Sequence, residues 1–201
     1  YNIKEKIEHA GSFTITANQI KEFREPRLMT KFDHKINLPK LFSQNRLAIL
    51  PISRGSYIIS HFDAYKELEK PSHNITHFSF PDYLQSIDYE NITSEAIAIN
   101  CAYVSGILAD FIEDEELLPT VSGRMSSDSF SFQIHNIATK SNVPIDVNNS
   151  QIEIDSGFEG IRQLSIIEAK NYLSDDFLIR QLYYPYKLWI NKFNKDETPI
   201  F

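Results

Sequence analysis

IEIDSGFEGIRQLSIIEAKN, residues 152–171, places four carboxylates, one arginine and one lysine within and between two apolar runs. Side chains of a β-strand alternate faces. Ile152 and Ile154 therefore point one way, and Glu153 and Asp155 the other. In the second run Ile167 and Ala169 share one face, and Glu168 and Lys170 take the opposite one. The connection 156–163 contains Gly157 and Gly160 and is short enough for a hairpin. A hairpin lays the two polar faces side by side. Asp155, Glu168 and Lys170 then converge at one end of a sheet, with Glu153 one pleat behind.

Two carboxylates a few ångströms apart repel each other unless a cation lies between them. Mg2+ is a hard ion that takes oxygen ligands, and Asp155 and Glu168 are the expected metal ligands. Such an ion polarises a phosphate oxygen and lowers the pKa of a bound water. Lys170 would orient that water, help deprotonate it, or stabilise charge building on phosphorus. Glu-x-Lys is also a common pattern on solvated hairpins. The weight of the reading rests on context: the apolar LSII directly before it, an Asp thirteen positions earlier, and a helix-like segment after it.

Outward from this stretch, TSEAIAINCAYVSGILADFIEDEE (93–116) has apolar residues at helical spacing, with Thr93 or Ser94 as cap. SGRMSS (122–127) reads as a polar loop leading to a strand over 129–135, followed by strands over 150–155 and 164–171. SDDFLIRQLYYPYKLWINKF reads as a long helix capped by Ser174, and TPIF as the start of a fourth core strand. The order from residue 93 is thus α-β-β-β-α-β. Upstream, NIKEKIEHA (2–10) reads as a short helix. Thr16 and Gln19 have capping-box spacing for a second helix over 17–24. LAILPI (47–52) and SYIISHF (56–62) form an expected hairpin around SRG. The expected domains are a basic, mainly helical region with a hairpin (1–70), a Pro/Asn/Ser-rich connection (71–92) and a core (93–201). The opening Tyr and the closing TPIF predict a fragment trimmed at its ends.

The 201 residues are 42% hydrophobic and 23% charged, ordinary for a globular chain. The formal charge of −7 is unevenly spread. Residues 1–60 hold 10 Lys/Arg against 5 Asp/Glu, and residues 61–201 hold 10 against 22. A basic front suits a polyanion, and an acidic back suits a divalent cation. No apolar run is long enough to span a bilayer. The lone Cys101 forms no internal disulfide, and with no basic-apolar leader the expected location is cytoplasmic. The six histidines lack zinc spacing.

Asp155 with Glu168-Ala169-Lys170, in an α-β-β-β-α-β order, resembles the PD-(D/E)xK nuclease superfamily, most closely its type II restriction endonuclease members. The resemblance covers about 93–201. It implies a mixed α/β (α+β) restriction-endonuclease-like core, a central sheet flanked by helices. It also implies Mg2+ as cofactor, and double-stranded DNA cut at short sites by a homodimer of a restriction-modification system. It casts Asp155, Glu168 and Lys170 as catalytic, with Glu95 on the first core helix assisting and Asp110 behind it. Gln181, with Tyr183 or Tyr184, is similar to the Gln and Tyr that contact the DNA backbone in some members. The proline expected before the Asp is replaced by Ile154, which leaves Glu153 or Glu159 as rivals to Asp155. Arg124, Arg180 and Arg54 are candidate DNA contacts, and Arg124 could instead pair with the EDEE run at 113–116. Two rival readings are a structure-selective repair or defence nuclease and a catalytically inactive DNA-binding module.

Overall fold

In a computed structural model, residues 1–69, 75–190, 192 and 196–200 are described. In chain order the elements are α1 (Ile3–Ala10), β1 (Phe13–Thr16), α2 (Ala17–Lys21), α3 (Pro26–Thr30), a 3-10 turn (Lys35–Asn37) and α4 (Lys40–Gln44). Then come β2 (Ala48–Ser53), β3 (Ser56–Ser60), β4 (Tyr65–Glu67), α5 (Glu95–Val104) and α6 (Ile107–Ile112). The remainder is β5 (Leu118–Ser126), β6 (Ser129–Asn136), β7 (Ser141–Asn148), β8 (Gln151–Glu159), β9 (Gln163–Ile167), β10 (Asp176–Leu178), α7 (Arg180–Trp189) and β11 (Asp196–Ile200). The fold is mixed α/β. Among the described residues no helix is long and apolar enough to cross a membrane.

The chain alternates between two compact units. The first comprises residues 1–68, 125–152 and 174–180, the second 69–124, 153–173 and 181–201. The sequence divides instead at 70 and 93. The difference arises because β6 and β7, which follow residue 93, pair back into the sheet built by the first 60 residues.

In the first unit the sheet order is β1-β3-β2-β7-β6. The expected hairpin is there as β2–β3, antiparallel, and β2 meets β7 in parallel. This unit is not mainly helical: FTIT adds β1 to the hairpin edge. Ile7 of α1 and Ile20 of α2 pack with Ile15, Leu47, Ile49 and Ile59 in one core. The Thr16–Gln19 capping box forms, but the helix ends at Lys21 rather than residue 24.

The segment read as a helix from Ser174 begins as strand β10, antiparallel to β4, so α7 starts only at Arg180. Asp176 Oδ1 accepts from the Lys35 N–H at 3.1 Å, and its carbonyl contacts the His34 ring. Beside them the Tyr65 hydroxyl donates to the Phe32 carbonyl at 2.8 Å. Burial, with Asp176 and Asp33 nearby, raises the Tyr65 phenol well above its ordinary value of 10.0. A raised folded-state pKa means that stability is intact below pH 10 and falls as pH rises beyond it. Urea midpoints followed across that range are expected to drop for the wild type. In Tyr65→Phe the neutral-pH stability is expected to fall by about 1 kcal/mol with the lost hydrogen bond, and the alkaline decline to flatten.

The second unit holds the four-stranded sheet β11-β9-β8-β5. β8 and β9 are antiparallel, and β9 and β11 parallel. Its own elements run α5-α6-β5-β8-β9-α7-β11, and β6, β7 and β10 of the other unit interrupt them, so the chain from residue 93 does not follow the expected α-β-β-β-α-β order. β5 is the first strand, so the SGRMSS segment is largely strand rather than loop. The strand expected at 129–135 is β6 of the other sheet. The helix expected over 93–116 starts at the predicted cap, Ser94, whose Oγ accepts from the Ile97 N–H at 3.3 Å. It breaks at Gly106, which takes the left-handed conformation (φ 85°) that side chains disfavour.

Candidate active site at the β8–β9 hairpin

β8 alternates as its sequence requires. Ile152, Ile154, Ser156 and Phe158 are buried, while Glu153, Asp155 and Glu159 are half-buried on the other face. The inner face packs on the helices: Phe158 and Ile167 join Ile99, Leu108, Ile112 and Leu117 in one core. β8 runs on to Glu159, so Asp155 lies mid-strand rather than at its end, and the turn narrows to residues 160–162.

The paired register is Ser156↔Ile167 through Glu159↔Leu164. One further step sets Asp155 opposite Glu168. There β9 stops, short of the expected residue 171, for a visible reason: the Ala169 N–H donates to Asp155 Oδ2 at 2.9 Å. A side-chain carboxylate has taken up a backbone donor that a ladder would use. Ala169 still packs against the helix-facing core. Alternation therefore persists past the strand end and leaves Glu168 and Lys170 on the face of Asp155.

Around Glu168 two donors meet on one oxygen. Gln181 Nε2, from the first turn of α7, donates to Oε1 at 2.5 Å, and Lys170 Nζ forms an ion pair with the same atom. Lys170 also donates to the Ala169 carbonyl at 3.2 Å. The Lys170 and Glu168 side chains are only 19% and 13% exposed, so their charges interact with little screening by water. Gln181 Oε1 is buried and has no hydrogen-bond partner among the described residues.

These groups suit a hard divalent cation. Mg2+ is commonly held by one or two carboxylates plus waters and substrate phosphates. Asp155, through the Ala169 N–H, and Glu168 are carboxylates beside one another at the chain end of β9, and the Gln181 amide that donates to Glu168 carries a further, buried acceptor oxygen.

The other expected residues fall as follows. Glu95 lies half-buried in the first turn of α5. Its helix start is tied to the segment that follows Lys170, because Asn171 Nδ2 donates to the Thr93 carbonyl at 3.4 Å. Asp110 is exposed on α6. Arg124 pairs with Glu153 across β5 and β8, Nε to Oε1 at 3.0 Å, and not with the EDEE run. That bond engages one rival to Asp155. The other, Glu159, sits opposite Leu164, about 13 Å along the strand from Asp155. Arg54 lies exposed in the β2–β3 turn of the first unit, and Arg180 also belongs to that unit. Asp114 was missed: it is only 6% exposed and accepts from the backbone N–H groups of Glu116 and Arg162. Gly160, two residues before Arg162, was its only local signal.

Residues 60–201 match the family model described as Domain of unknown function (DUF6997), and residues 1–59 the one described as Domain of unknown function (DUF6996). No curated protein matches the chain, and no solved structure does.

Proposed function

We propose, for a chain that belongs to the family described as Domain of unknown function (DUF6997), Mg2+-dependent endonucleolytic hydrolysis of DNA phosphodiesters. The observation that carries this reading is the Asp155 carboxylate accepting from the Ala169 N–H, next to Glu168, with Lys170 bonded to Glu168. The second unit's order α5-α6-β5-β8-β9-α7-β11 supports it, since a restriction-endonuclease-like core would have the order α-β-β-β-α-β once the two helices parted at Gly106 are taken together.

In this mechanism Asp155 and Glu168 would hold the ion, which would supply Lewis acidity and an activated water. The Ala169 N–H fixes Asp155 by one oxygen and leaves the other to face the substrate. Gln181 sets the rotamer of Glu168. Lys170, held by the Ala169 carbonyl and Glu168, would orient the attacking water by a charged hydrogen bond. Cutting both strands of duplex DNA at a symmetric site calls for a two-fold dimer, since one centre attacks one strand at a time.

The test is plasmid cleavage with Mg2+, with EDTA, and with Glu168→Ala in Mg2+. Fragments are expected in the first lane alone. Intact plasmid in every lane, from folded protein, would overturn the reading.

A further inference from the structure

The sheet of the first unit ends on one side at β6, with no strand beyond it among the described residues. β6 pairs with β7 over all eight of its residues without a register shift. In an antiparallel strand the N–H and C=O of one residue point to the same side, and successive residues alternate. Even-numbered residues face β7 here: the Asp128 and Asn136 carbonyls, at the two ends of β6, accept from the Asn149 and Lys140 N–H groups at 2.9 and 2.8 Å. Odd-numbered residues therefore face outward. His135 shows this, because its carbonyl accepts from the Asp63 N–H at 2.9 Å on the side away from β7. Ser129, Ser131 and Gln133 carry their backbone donors and acceptors on the same outer edge, and all three residues are exposed.

Such an edge is a template for another strand, and proteins that keep an edge single blunt it with charge, proline or a bulge. β6 has none of these: SFSFQIHN contains no Lys, Arg, Asp, Glu or Pro. The sheet's other edge, β1, is only four residues long, and β5, at an edge of the other sheet, carries Pro119 and Arg124. We propose that β6 pairs antiparallel with β6 of a second copy of this chain, about a two-fold axis at Ser131, to join five strands from each copy in one sheet. Ser131 then faces Ser131 of the second copy, and Ser129 faces its Gln133, each pair exchanging both backbone bonds. Like charges directly opposite each other would destabilise such a pairing, and the uncharged strand brings none to the axis. Between these pairs Phe130 comes opposite Phe132 of the second copy, on the face where the two rings of one copy already lie 6.0 Å apart. Aromatic cross-strand pairs stabilise sheets. The contact has natural ends, since Asp63 takes the His135 carbonyl and Asp128 turns the chain with φ 55°. A two-fold contact uses the edge up, so the pairing closes at two copies. No residue of the candidate active site takes part, and the proposal stands or falls independently of the nuclease reading.

The experiment is sedimentation equilibrium of the 201-residue chain over a concentration series, without DNA or metal. The wild type is expected to pass from 23.3 kDa to twice that mass and no further. Ser131→Pro removes both N–H donors at the axis and is expected to weaken the dimer at least about 10-fold. The Ser131 N–H points away from β7, where a sheet edge tolerates proline, and the thermal midpoint of the dilute protein checks the fold. Ser131→Cys sets two thiols at the axis, where Cα atoms about 5.5 Å apart suit a disulfide. Mild oxidation is expected to crosslink that variant and not Ser141→Cys, which lies exposed on β7 away from the axis. The crosslink decides by itself if the proline variant melts early. A wild type that stays monomeric, a Ser131→Pro variant that dimerises as the wild type does, or equal crosslinking of the two cysteine variants would each overturn the proposal. So would growth beyond two copies.

Discussion

Lys170→Ala is expected to lower Mg2+-dependent cleavage by about 100- to 1,000-fold, the range lost with one preorganised donor aimed at the reacting atoms. A second effect separates this from simple damage. Lys170 and Glu168 form a largely buried ion pair, and removing one partner leaves the other charge uncompensated. Without metal the variant is therefore expected to melt below the wild type. Gln181 and the Ala169 N–H still hold Glu168 and Asp155 in place, so the fold persists. If the two carboxylates take Mg2+, the ion replaces the missing charge, and the variant's midpoint should rise with Mg2+ more than the wild type's does. Calorimetry of both proteins across a Mg2+ titration reads this directly. A midpoint indifferent to Mg2+ in both would remove Asp155 and Glu168 as metal ligands, whatever the cleavage assay gave.

The hairpin that carries the candidate site was legible because it is local. Alternation along 152–155, two glycines and an Asp-to-Glu interval that a hairpin closes are all contained within twenty residues. Local chemistry also announced the helix starts, through Thr16 with Gln19 and through Ser94. What failed was long-range or polar. SDDFL looks like a capped helix start, yet Asp176–Leu178 pairs with Tyr65–Glu67, more than a hundred residues away. VSGRMSS and SNVPIDVN are too polar to read as strands, since their partners rather than their own hydrophobicity hold them in sheets. The same pairing interleaves the two units, which no composition shift reveals. The end of β9 was misplaced because the donor that would extend the strand bonds to the Asp155 carboxylate.

Gly160→Ala is expected to cost the second unit about 1–3 kcal/mol by overpacking and to lower activity with it. A Cβ at this position would lie 2.3 Å from Asp114 Oδ2 and 3.1 Å from Leu117 Cδ2. The conflict is one of space, since Gly160 carries no left-handed φ. Asp114 cannot yield cheaply. Its carboxylate binds the Arg162 N–H at 3.3 Å and the Glu116 N–H at 3.2 Å, while Gln163 Nε2 donates to the Ile112 carbonyl at 3.0 Å. These bonds fasten the β8–β9 turn to the end of α6. The turn fixes the register, and the register sets Asp155 opposite Glu168. The Arg162 backbone hydrogen bond, above all, holds the Asp114 pKa below its ordinary 3.8. A lowered folded-state value gives stability that is present above pH 3.8 and lost as pH falls through the folded value. Urea midpoints of Gly160→Ala are therefore expected to lie below wild type at neutral pH and to converge with it in acid, where the clamp is already lost. Gly55→Ala is the control, because nothing lies within 4 Å of its Cβ. Its midpoint is expected to stay within about 0.5 kcal/mol of wild type. Equal stability of the two alanine variants at neutral pH would show that the Asp114 clamp does not hold the hairpin.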